Sequence, residues 1–393
     1  MHFVRGTQRE QREVSVIYLD HQASTPTHPQ VVAAMQPYYT EHYANPHAAD
    51  HAAGWTAADA IEASRNNVAH AVDADADEII FTSGATEANN LAIRGLTRSD
   101  PNRKKVIVSA IEHKAVLAPA REVAREGAEL VVAPVDREGR VDLDRLSKLV
   151  DDQTLLVSIM LVNNEMGVVQ PIKEISQLCR SAGALLHTDA AQALYWLPID
   201  VLELGVDFLS LSGHKASGPK GIGALYVSRE VRSRLQPLIH GGDQEGGLRA
   251  GTLPTPLCAG LGEACRLLPD DRAVAEWRSL TLELEAGLQS LFPQMETIGN
   301  REDRHPGNLC VRIPGVDAER LVALLQPDVA LARGSACTSG IPEPSHVLRA
   351  MGLDANEAAE VVRFSTAPTT CKGEIAMALQ CIAEAADRMK VSA

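Results

Sequence analysis

The sequence predicts an α/β fold in which a mostly parallel, seven-stranded sheet has helices on both faces and a smaller α+β domain follows. Between residue 14 and about residue 265, short β-rich runs alternate with helical patterns, which is the order that produces parallel sheets. Most of these runs are apolar on successive residues, as expected for strands that are buried on both faces. After a helix-rich stretch at 257–291, strand and helix patterns return over a shorter length and indicate the second domain.

Seven runs have the length and apolar content of buried strands, and they lie at 79–81, 106–108, 130–133, 155–159, 184–187, 206–210 and 224–227. Helical patterns fill the intervals between them, for example at 115–126 and 171–182. Because each strand is followed by a helix that returns the chain to the same end of the sheet, most neighbouring strands are expected to run parallel.

The second domain is predicted from strands at 309–313 and 361–364 and from a helix at 317–325. A charged segment at 268–273 is the candidate boundary. We therefore expect a large domain at 21–268 and a small domain formed by 1–20 and 269–393. A loop at about 332–346 belongs to the small domain.

Composition and charge argue against several classes of protein. The net charge is −14 without a Lys/Arg cluster, which disfavours a nucleic-acid-binding surface. No apolar run approaches the roughly 18 residues that cross a membrane, and residues 1–13 lack the apolar segment of a secretory signal. The seven cysteines include no Cys-x-x-Cys pair and no zinc-site spacing, which is typical of reduced thiols. We therefore expect a cytoplasmic protein without a metal site and without a nucleic-acid or membrane partner.

Lys215 lies where an apolar strand at 206–211 meets a glycine-rich turn. Burial beside a strand end disfavours the charged form of lysine, and a neutral amine forms Schiff bases with carbonyl cofactors. Ser212 and His214 flank this lysine and are suited to holding a phosphate. Together these residues point to pyridoxal phosphate (PLP). A lysine that is merely solvated after a strand is the alternative.

A second candidate phosphate contact is the turn that follows the strand at 79–81. Gly84 permits a tight turn, and Ala85 and Thr86 then open a helix. The N-terminus of a helix presents free N–H groups and the positive end of the helix dipole, which suit a phosphate. An ordinary helix start is the alternative.

Asp189 follows the strand at 184–187, and Gln192 comes three residues later. A buried carboxylate needs a cationic partner, and PLP enzymes use an aspartate to hold the protonated pyridine nitrogen. Gln192 is placed to reach the ring hydroxyl. If Asp189 has no such role, it is a helix N-cap.

Three further polar side chains occur beside apolar strands. His113 follows the strand at 106–108, where a ring can stack on a cofactor and move protons, or else lie at the surface. Asn164 follows the strand at 155–160 and either binds a ligand or caps the turn. Arg363 is a lone charge in an apolar run and suits a substrate carboxylate or a structural ion pair.

Two loops complete the candidate site. The glycine-rich segment at 240–252 either approaches a phosphate or is a flexible connector. Cys337 lies among Gly, Ser, Ala and Thr rather than in an apolar element, which predicts an exposed loop. An exposed thiol is a candidate nucleophile, with an ordinary loop cysteine as the alternative.

Seven motifs in order resemble the cysteine desulfurases, which are fold-type I, class V aminotransferase-like PLP enzymes. The motifs are Ser-Gly-Ala-Thr-Glu, Glu-His-Lys, Asn-Asn-Glu-Met-Gly, His-Thr-Asp-Ala-Ala-Gln, Ser-Gly-His-Lys, Leu-Arg-Ala-Gly-Thr and Gly-Ser-Ala-Cys-Thr-Ser. The resemblance runs from about residue 18 to residue 365. Each motif alone has low specificity, whereas all seven in this order are highly specific.

By that resemblance, Lys215 forms the internal aldimine, Asp189 pairs with the pyridine nitrogen and Gln192 lies near the ring oxygen. His113 stacks on the ring and moves protons. The phosphate is held by Ala85, Thr86, Ser212 and His214. Thr252 is contributed by a second subunit, which implies a homodimer.

The resemblance also assigns the substrate side of the site. Asn164 contacts both the cofactor and the substrate carboxylate, and Arg363 binds that carboxylate. Cys337 accepts the sulfur. The implied catalytic residues are therefore Lys215, Cys337 and His113.

The implied reaction converts L-cysteine to L-alanine and leaves a persulfide on Cys337, from which an acceptor protein takes the sulfur. Iron–sulfur assembly, tRNA thiolation and DNA phosphorothioation all remain open as destinations. A transaminase or selenocysteine lyase is one alternative. A sulfur-carrying or scaffolding protein with a vestigial PLP site is another.

Overall fold

The computed structural model describes residues 16–99, 102–333 and 345–391. In this part of the chain the strands, in order, are β1 (Ile17–Tyr18), β2 (Ile79–Thr82), β3 (Lys105–Ser109), β4 (Glu129–Ala133), β5 (Thr154–Ser158), β6 (Leu185–Asp189), β7 (Phe208–Ser212), β8 (Gly223–Val227), β9 (Glu296–Thr297), β10 (Asn308–Arg312), β11 (Val329–Ala330), β12 (Ala332–Arg333) and β13 (Val361–Ser365).

The helices of the same residues, in order, are α1 (Pro29–Met35), α2 (Pro37–Thr40), α3 (Ala52–His70), α4 (Ala85–Asn90), α5 (Lys114–Arg125), α6 (Leu143–Leu149), α7 (Ile172–Ala182), α8 (Val201–Leu204), α9 (Arg229–Arg232), α10 (Thr255–Arg266), α11 (Asp271–Leu291), α12 (Ala318–Leu324), α13 (His346–Ala350), α14 (Ala355–Ala359) and α15 (Lys372–Val391). A π-helical stretch, Leu91–Gly95, continues α4. None of the helices described here is both long enough and apolar enough to cross a membrane.

Seven strands form the large sheet in the order β2-β8-β7-β6-β5-β3-β4. The pairs from β7 through β4 are parallel, whereas β8 is antiparallel to both β7 and β2. All seven predicted strands are present, and the predicted α/β fold with a mostly parallel seven-stranded sheet is confirmed.

Helices cover both faces of the large sheet, as the two apolar clusters on opposite sides show. Ile107 belongs to one cluster, whereas its neighbours Val106 and Val108 belong to the other. Successive side chains of a strand point to opposite faces, so the two clusters lie on opposite sides of the sheet. Helices α3, α7 and α10 contribute to the first cluster, and α4 and α5 contribute to the second.

A second, antiparallel sheet has the order β12-β13-β10-β9. Its core includes side chains from α11, α12 and α15, together with Ile17 and Leu19 from the beginning of the described chain. Strand β1 pairs in parallel with β11, which brings this early segment to the later elements. The contacts are compatible with the predicted domain limits, which stay a prediction.

The directions of the strands decide where functional side chains meet. Strands β3, β5, β6 and β7 are parallel, so their carboxyl ends lie at one edge of the sheet. Strand β2 points the same way as β7 because both are antiparallel to β8. The turns after these five strands carry most of the predicted site residues, as expected for an open α/β sheet.

Candidate active site

A cavity of about 550 Å³ lies at the carboxyl edge of the large sheet. Ten of the twelve predicted site residues line it, namely Ala85, Thr86, His113, Asn164, Asp189, Gln192, Ser212, His214, Lys215 and Arg363. Thr252 is exposed and is not in the described wall of this cavity. Cys337 lies outside the described residues.

Lys215 ends the short 3₁₀ turn Gly213–Lys215 that follows β7, so its amine reaches back over the sheet edge. The amine donates a hydrogen bond to the Ala23 carbonyl at 2.9 Å and another to the Gln22 carbonyl. Burial, helped by the positive charge of Arg363, lowers the pKa of Lys215 to about 8, against the opposing effects of Asp20 and Asp189. A larger fraction of this amine is therefore in the neutral, nucleophilic form at physiological pH than for an ordinary lysine.

Asp189 is the last residue of β6 and is 6% exposed. Its carboxylate accepts hydrogen bonds from Asn89 Nδ2 at 2.7 Å and from the Ala191 amide at 3.0 Å. Within the described part of the chain, no Lys or Arg side chain forms a salt bridge with it. A buried carboxylate in a cavity wall that forms no salt bridge with the described residues fits a protonated ring nitrogen.

The turn between β2 and α4 has the shape of a phosphate cradle. Gly84 has a φ of +149°, which L side chains rarely adopt, and the place where a Cβ would stand has no atom within 4 Å. The first N–H groups of α4, at Ala85 and Thr86, have no acceptor within the helix. Across the cavity, burial lowers the pKa of His214 to about 4, so its ring is neutral beside Ser212.

His113 is the N-cap of α5, and its Nδ1 accepts a hydrogen bond from the Ala115 amide at 3.1 Å. Burial lowers the pKa of His113, so the neutral ring predominates near pH 7. Since Nδ1 accepts a hydrogen bond, the proton of the neutral ring is on Nε2. This leaves Nε2 as the atom that exchanges a proton.

Arg363 lies in β13, which brings the small sheet to the rim of the cavity. Its guanidinium donates to the Asn164 carbonyl at 2.6 Å and to the carboxylate of Asp20. The structural ion pair that the sequence left open is therefore present. Arg363 also lines the cavity, and its Nε is a buried atom without a hydrogen-bond partner in the described structure.

The sequence reasoning missed four residues that support the site. Gln22 and Ala23 hold the Lys215 amine, and Gln22 also accepts a hydrogen bond from Gln192 Nε2 at 2.9 Å. Asn89 supports Asp189, and it lies one helical turn after Ala85. Lys220 lines the cavity and lies in the glycine-rich segment between β7 and β8. Helical spacing signals Asn89, and turn position signals Lys220, whereas no local pattern signals Gln22 or Ala23.

Two buried acids next to motif residues were also missed. Glu112 accepts from the Met160 amide at 2.7 Å and from the Ser109 hydroxyl at 2.8 Å, and burial raises its pKa to about 8. Glu165 accepts from the Ser345 hydroxyl at 2.6 Å, and burial raises its pKa to about 7. Each acid is adjacent in sequence to a predicted site residue.

The fold and this site together define a PLP-dependent enzyme of the α/β class. The family model of aminotransferase class-V matches residues 17–377. Cysteine desulfurase IscS of Rickettsia bellii is 43% identical over 378 residues, which are 95% of this chain and 92% of that protein. The chain belongs to the aminotransferase class-V family.

Solved structures agree with that assignment. A NifS-like protein matches with a TM-score of 0.88 and 33% identity, over 94% of this chain and 99% of that chain. A structure described as SspA in complex with cysteine matches with a TM-score of 0.81 and 37% identity, over 90% and 99%. The resemblance to the cysteine desulfurases and the PLP cofactor predicted from the motifs are both confirmed.

Proposed function

We propose that the protein removes sulfur from L-cysteine, releases L-alanine and passes the sulfur through a persulfide on Cys337 to an acceptor protein. Its enzyme class, a PLP-dependent cysteine desulfurase, is given by its relatives. The proposal concerns the residues that perform the steps and the partners that take part.

One observation carries the assignment of residues. A lysine amine with a pKa of about 8 and a buried carboxylate without a salt bridge in the described structure line one cavity, beside a turn with the form of a phosphate cradle. Lys215 would hold the aldehyde carbon of the cofactor, Asp189 its ring nitrogen and the Gly84 turn its phosphate. When bound, PLP supplies an electron sink for the substrate α-carbon.

Two side chains of the protein move protons in this reaction. Lys215 Nζ, in its neutral form, would act as the base that removes the α-proton of the bound substrate. His113 Nε2 carries an exchangeable proton on the same cavity wall. Arg363 and Asn164 bind the substrate carboxylate and so fix which substrate bonds face these two groups.

The thiolate of Cys337 takes the sulfur from the substrate. Its Sγ attacks the substrate sulfur, so that an S–S bond forms while the substrate Cβ–S bond breaks. The electron pair of the broken bond stays on the substrate carbon, which takes up a proton and leaves as alanine. The persulfide on Cys337 then gives its outer sulfur to the acceptor.

The remaining parts of the proposal concern the assembly and its setting. Two copies form a homodimer in which Thr252 of one subunit reaches the phosphate of the other, and its exposure in the single chain supports this. The protein is cytoplasmic, in keeping with the free cysteines among the described residues. Residues 21–268 form the large domain, and 1–20 with 269–393 form the small one.

The deciding experiment replaces Cys337 by Ser. The matched control is Cys371→Ser, which changes an exposed cysteine directly before α15. We expect Cys337→Ser to lose persulfide and alanine formation from L-cysteine while it retains the visible absorbance of bound PLP. The control variant should keep both. Full desulfurase activity of Cys337→Ser would remove this residue from the mechanism, and amino transfer to pyruvate would indicate a transaminase instead.

A further inference from the structure

Two residues of the glycine-rich loop at 240–252, Glu245 and Arg249, contact the segments on either side of the phosphate cradle of their own protomer. Glu245 first pairs with α3, where it accepts hydrogen bonds from both terminal nitrogens of Arg65, at 2.8 and 2.9 Å. The same carboxylate accepts from the Phe81 amide at 2.7 Å. The Glu245 side chain is only 1% exposed, so this is a buried and fully engaged carboxylate.

The position of Phe81 makes the first contact relevant to the cofactor site. Phe81 lies in β2, an edge strand of the large sheet, and its amide points away from β8. An edge strand has N–H groups without a strand partner, and Glu245 satisfies this one. Residues 82–84 of the cradle follow directly.

The second contact lies on the other side of the cradle. Arg249 Nε donates to Glu87 Oε1 at 2.9 Å, and Glu87 Oε2 accepts from the Ser83 amide at 2.8 Å. Glu87 is in the first turn of α4 and follows Thr86 directly. The two loop residues therefore contact the chain on both sides of Gly84, at Phe81 before it and at Glu87 after it.

The backbone of Glu245 has a φ of 52° and a ψ of 35°, in the left-handed region that disfavours residues with a Cβ. The next residue, Gly246, adopts a similar conformation with a φ of 63°. A glycine at 245 would relieve the strain, but it would also give up the contacts with Arg65 and Phe81. These contacts account for a glutamate at this position.

We propose that Glu245 and Arg249 are positioning residues that couple the two cofactor sites of the homodimer. The loop is held on its own protomer's cradle, whereas Thr252, three residues after Arg249, is exposed and available to the partner subunit. If a change at the cradle shifts this loop, it also shifts the residue offered to the partner, and linkage then requires the same effect in the reverse direction. The inference rests on the proposed function, because it requires the homodimer and the role of Thr252.

Single variants test whether the contacts of Glu245 and Arg249 support PLP binding. We expect Glu245→Gln to weaken PLP binding by about tenfold, because it removes the charge that strengthens the hydrogen bonds with Arg65 and Phe81. Glu245→Asp should restore part of the affinity. Arg249→Lys, which keeps the charge but not the paired geometry, provides a second variant should Glu245→Gln fail to fold. PLP affinity is measured by absorbance titration of protein from which the cofactor has been removed.

Glu360→Gln is a matched control. Glu360 also accepts hydrogen bonds from an arginine, Arg312 Nε at 2.8 Å, and from a backbone amide, that of Gly315 at 2.7 Å. It lies directly before β13 of the antiparallel sheet and does not line the cavity. We expect this variant to lose thermal stability without a change in PLP affinity. An equal loss of PLP affinity in Glu360→Gln would show that the Glu245 effect is merely structural.

Mixed dimers separate the two directions of coupling. In the first, one protomer carries Lys215→Ala and its partner carries Glu245→Gln. In the second, one protomer carries both substitutions and its partner is unchanged. Each dimer has a single Lys215, so borohydride reduction links PLP covalently to one protomer only. The PLP concentration that gives half-maximal labelling of that protomer is the readout.

Weakened labelling in both mixed dimers is the expected result. If only one of the two is weakened, the loop serves a single site and the proposed coupling is wrong. The same conclusion follows if neither is weakened, or if the protein is a monomer in sedimentation. Desulfurase activity of the unchanged protein with L-cysteine is measured separately, so failure of the coupling is distinguished from failure of the proposed reaction.

Discussion

Protein from which PLP has been removed should capture the cofactor with a pH midpoint near 8, because only the neutral amine of Lys215 attacks an aldehyde. At pH 7 a lysine with a pKa of about 8 is about 9% neutral, against about 0.03% for the ordinary value of 10.5. We therefore expect PLP capture about 300-fold faster than by an ordinary lysine of the same accessibility.

The charge of Arg363 provides the means to test this reasoning. Burial makes the largest contribution to the lowered pKa of Lys215, and the positive charge of Arg363 makes the next. Arg363→Met should therefore raise the pKa of Lys215 and slow PLP capture at pH 7. Arg272→Met is the control, since Arg272 is a largely exposed residue of α11.

The assay is stopped-flow absorbance of PLP binding across a pH series, with Lys215→Ala as the blank. The same lysine also links stability to pH. Between about pH 8 and pH 10.5 the native protein without PLP binds fewer protons than the unfolded chain, so its free energy of unfolding rises with pH. A capture midpoint near 10.5, or an unchanged midpoint in Arg363→Met, would refute the account of Lys215.

Asp189→Asn should lower desulfurase turnover by about 100-fold or more, because loss of one partner of a buried charged pair costs about 3 kcal/mol; near-normal turnover would contradict the pairing. Gly84→Ala should weaken PLP binding by about tenfold or more, since a φ of +149° strains any residue with a Cβ by 1–3 kcal/mol or so, and equal PLP titrations would contradict this. Glu112→Gln should raise the thermal stability of the protein at pH 8 but not at pH 4. Between pH 4.5 and about 8 the native state keeps a proton on Glu112 that the unfolded chain has lost, so the native state loses stability as pH rises through that window. An equal change in stability at both pH values would contradict this.

The sequence was informative wherever a local pattern determines the structure. Apolar runs located the seven strands, and polar residues directly after those runs located Asp189, His113 and the Gly84 turn. The carboxyl ends of parallel strands meet at one edge, so order along the chain was enough to place these side chains together.

Contacts between distant segments could not be predicted in this way. Gln22 lies 193 residues from Lys215 in sequence, yet its carbonyl accepts a hydrogen bond from the lysine amine. Asp20 reaches Arg363 from 343 residues away. Both residues belong to the segment after β1, whose position depends on pairing with β11 and on a core shared with α15. No periodicity within that segment specifies its partners.

A different limit applies to the register of the large sheet. Strands β5, β6 and β7 are buried on both faces, so an apolar pattern alone does not penalise a slip by one residue. Hydrogen bonds of His187 disfavour such a slip. Its ring contacts the Ser158 hydroxyl at 2.7 Å and the Ser210 hydroxyl at 3.0 Å, which join the three strands through a polar row in the core.

Burial lowers the pKa of His187 to about 3, so the ring stays neutral and has one donor and one acceptor to satisfy. A slip of either neighbouring strand would leave a buried ring nitrogen without a partner, at a cost of about 1–3 kcal/mol. Asp189 is two residues beyond His187 on the same face of β6, and it aligns with Ser210. The polar row therefore fixes which residues reach the carboxyl edge, and through that register it sets Asp189 and Lys215 in the wall of one cavity.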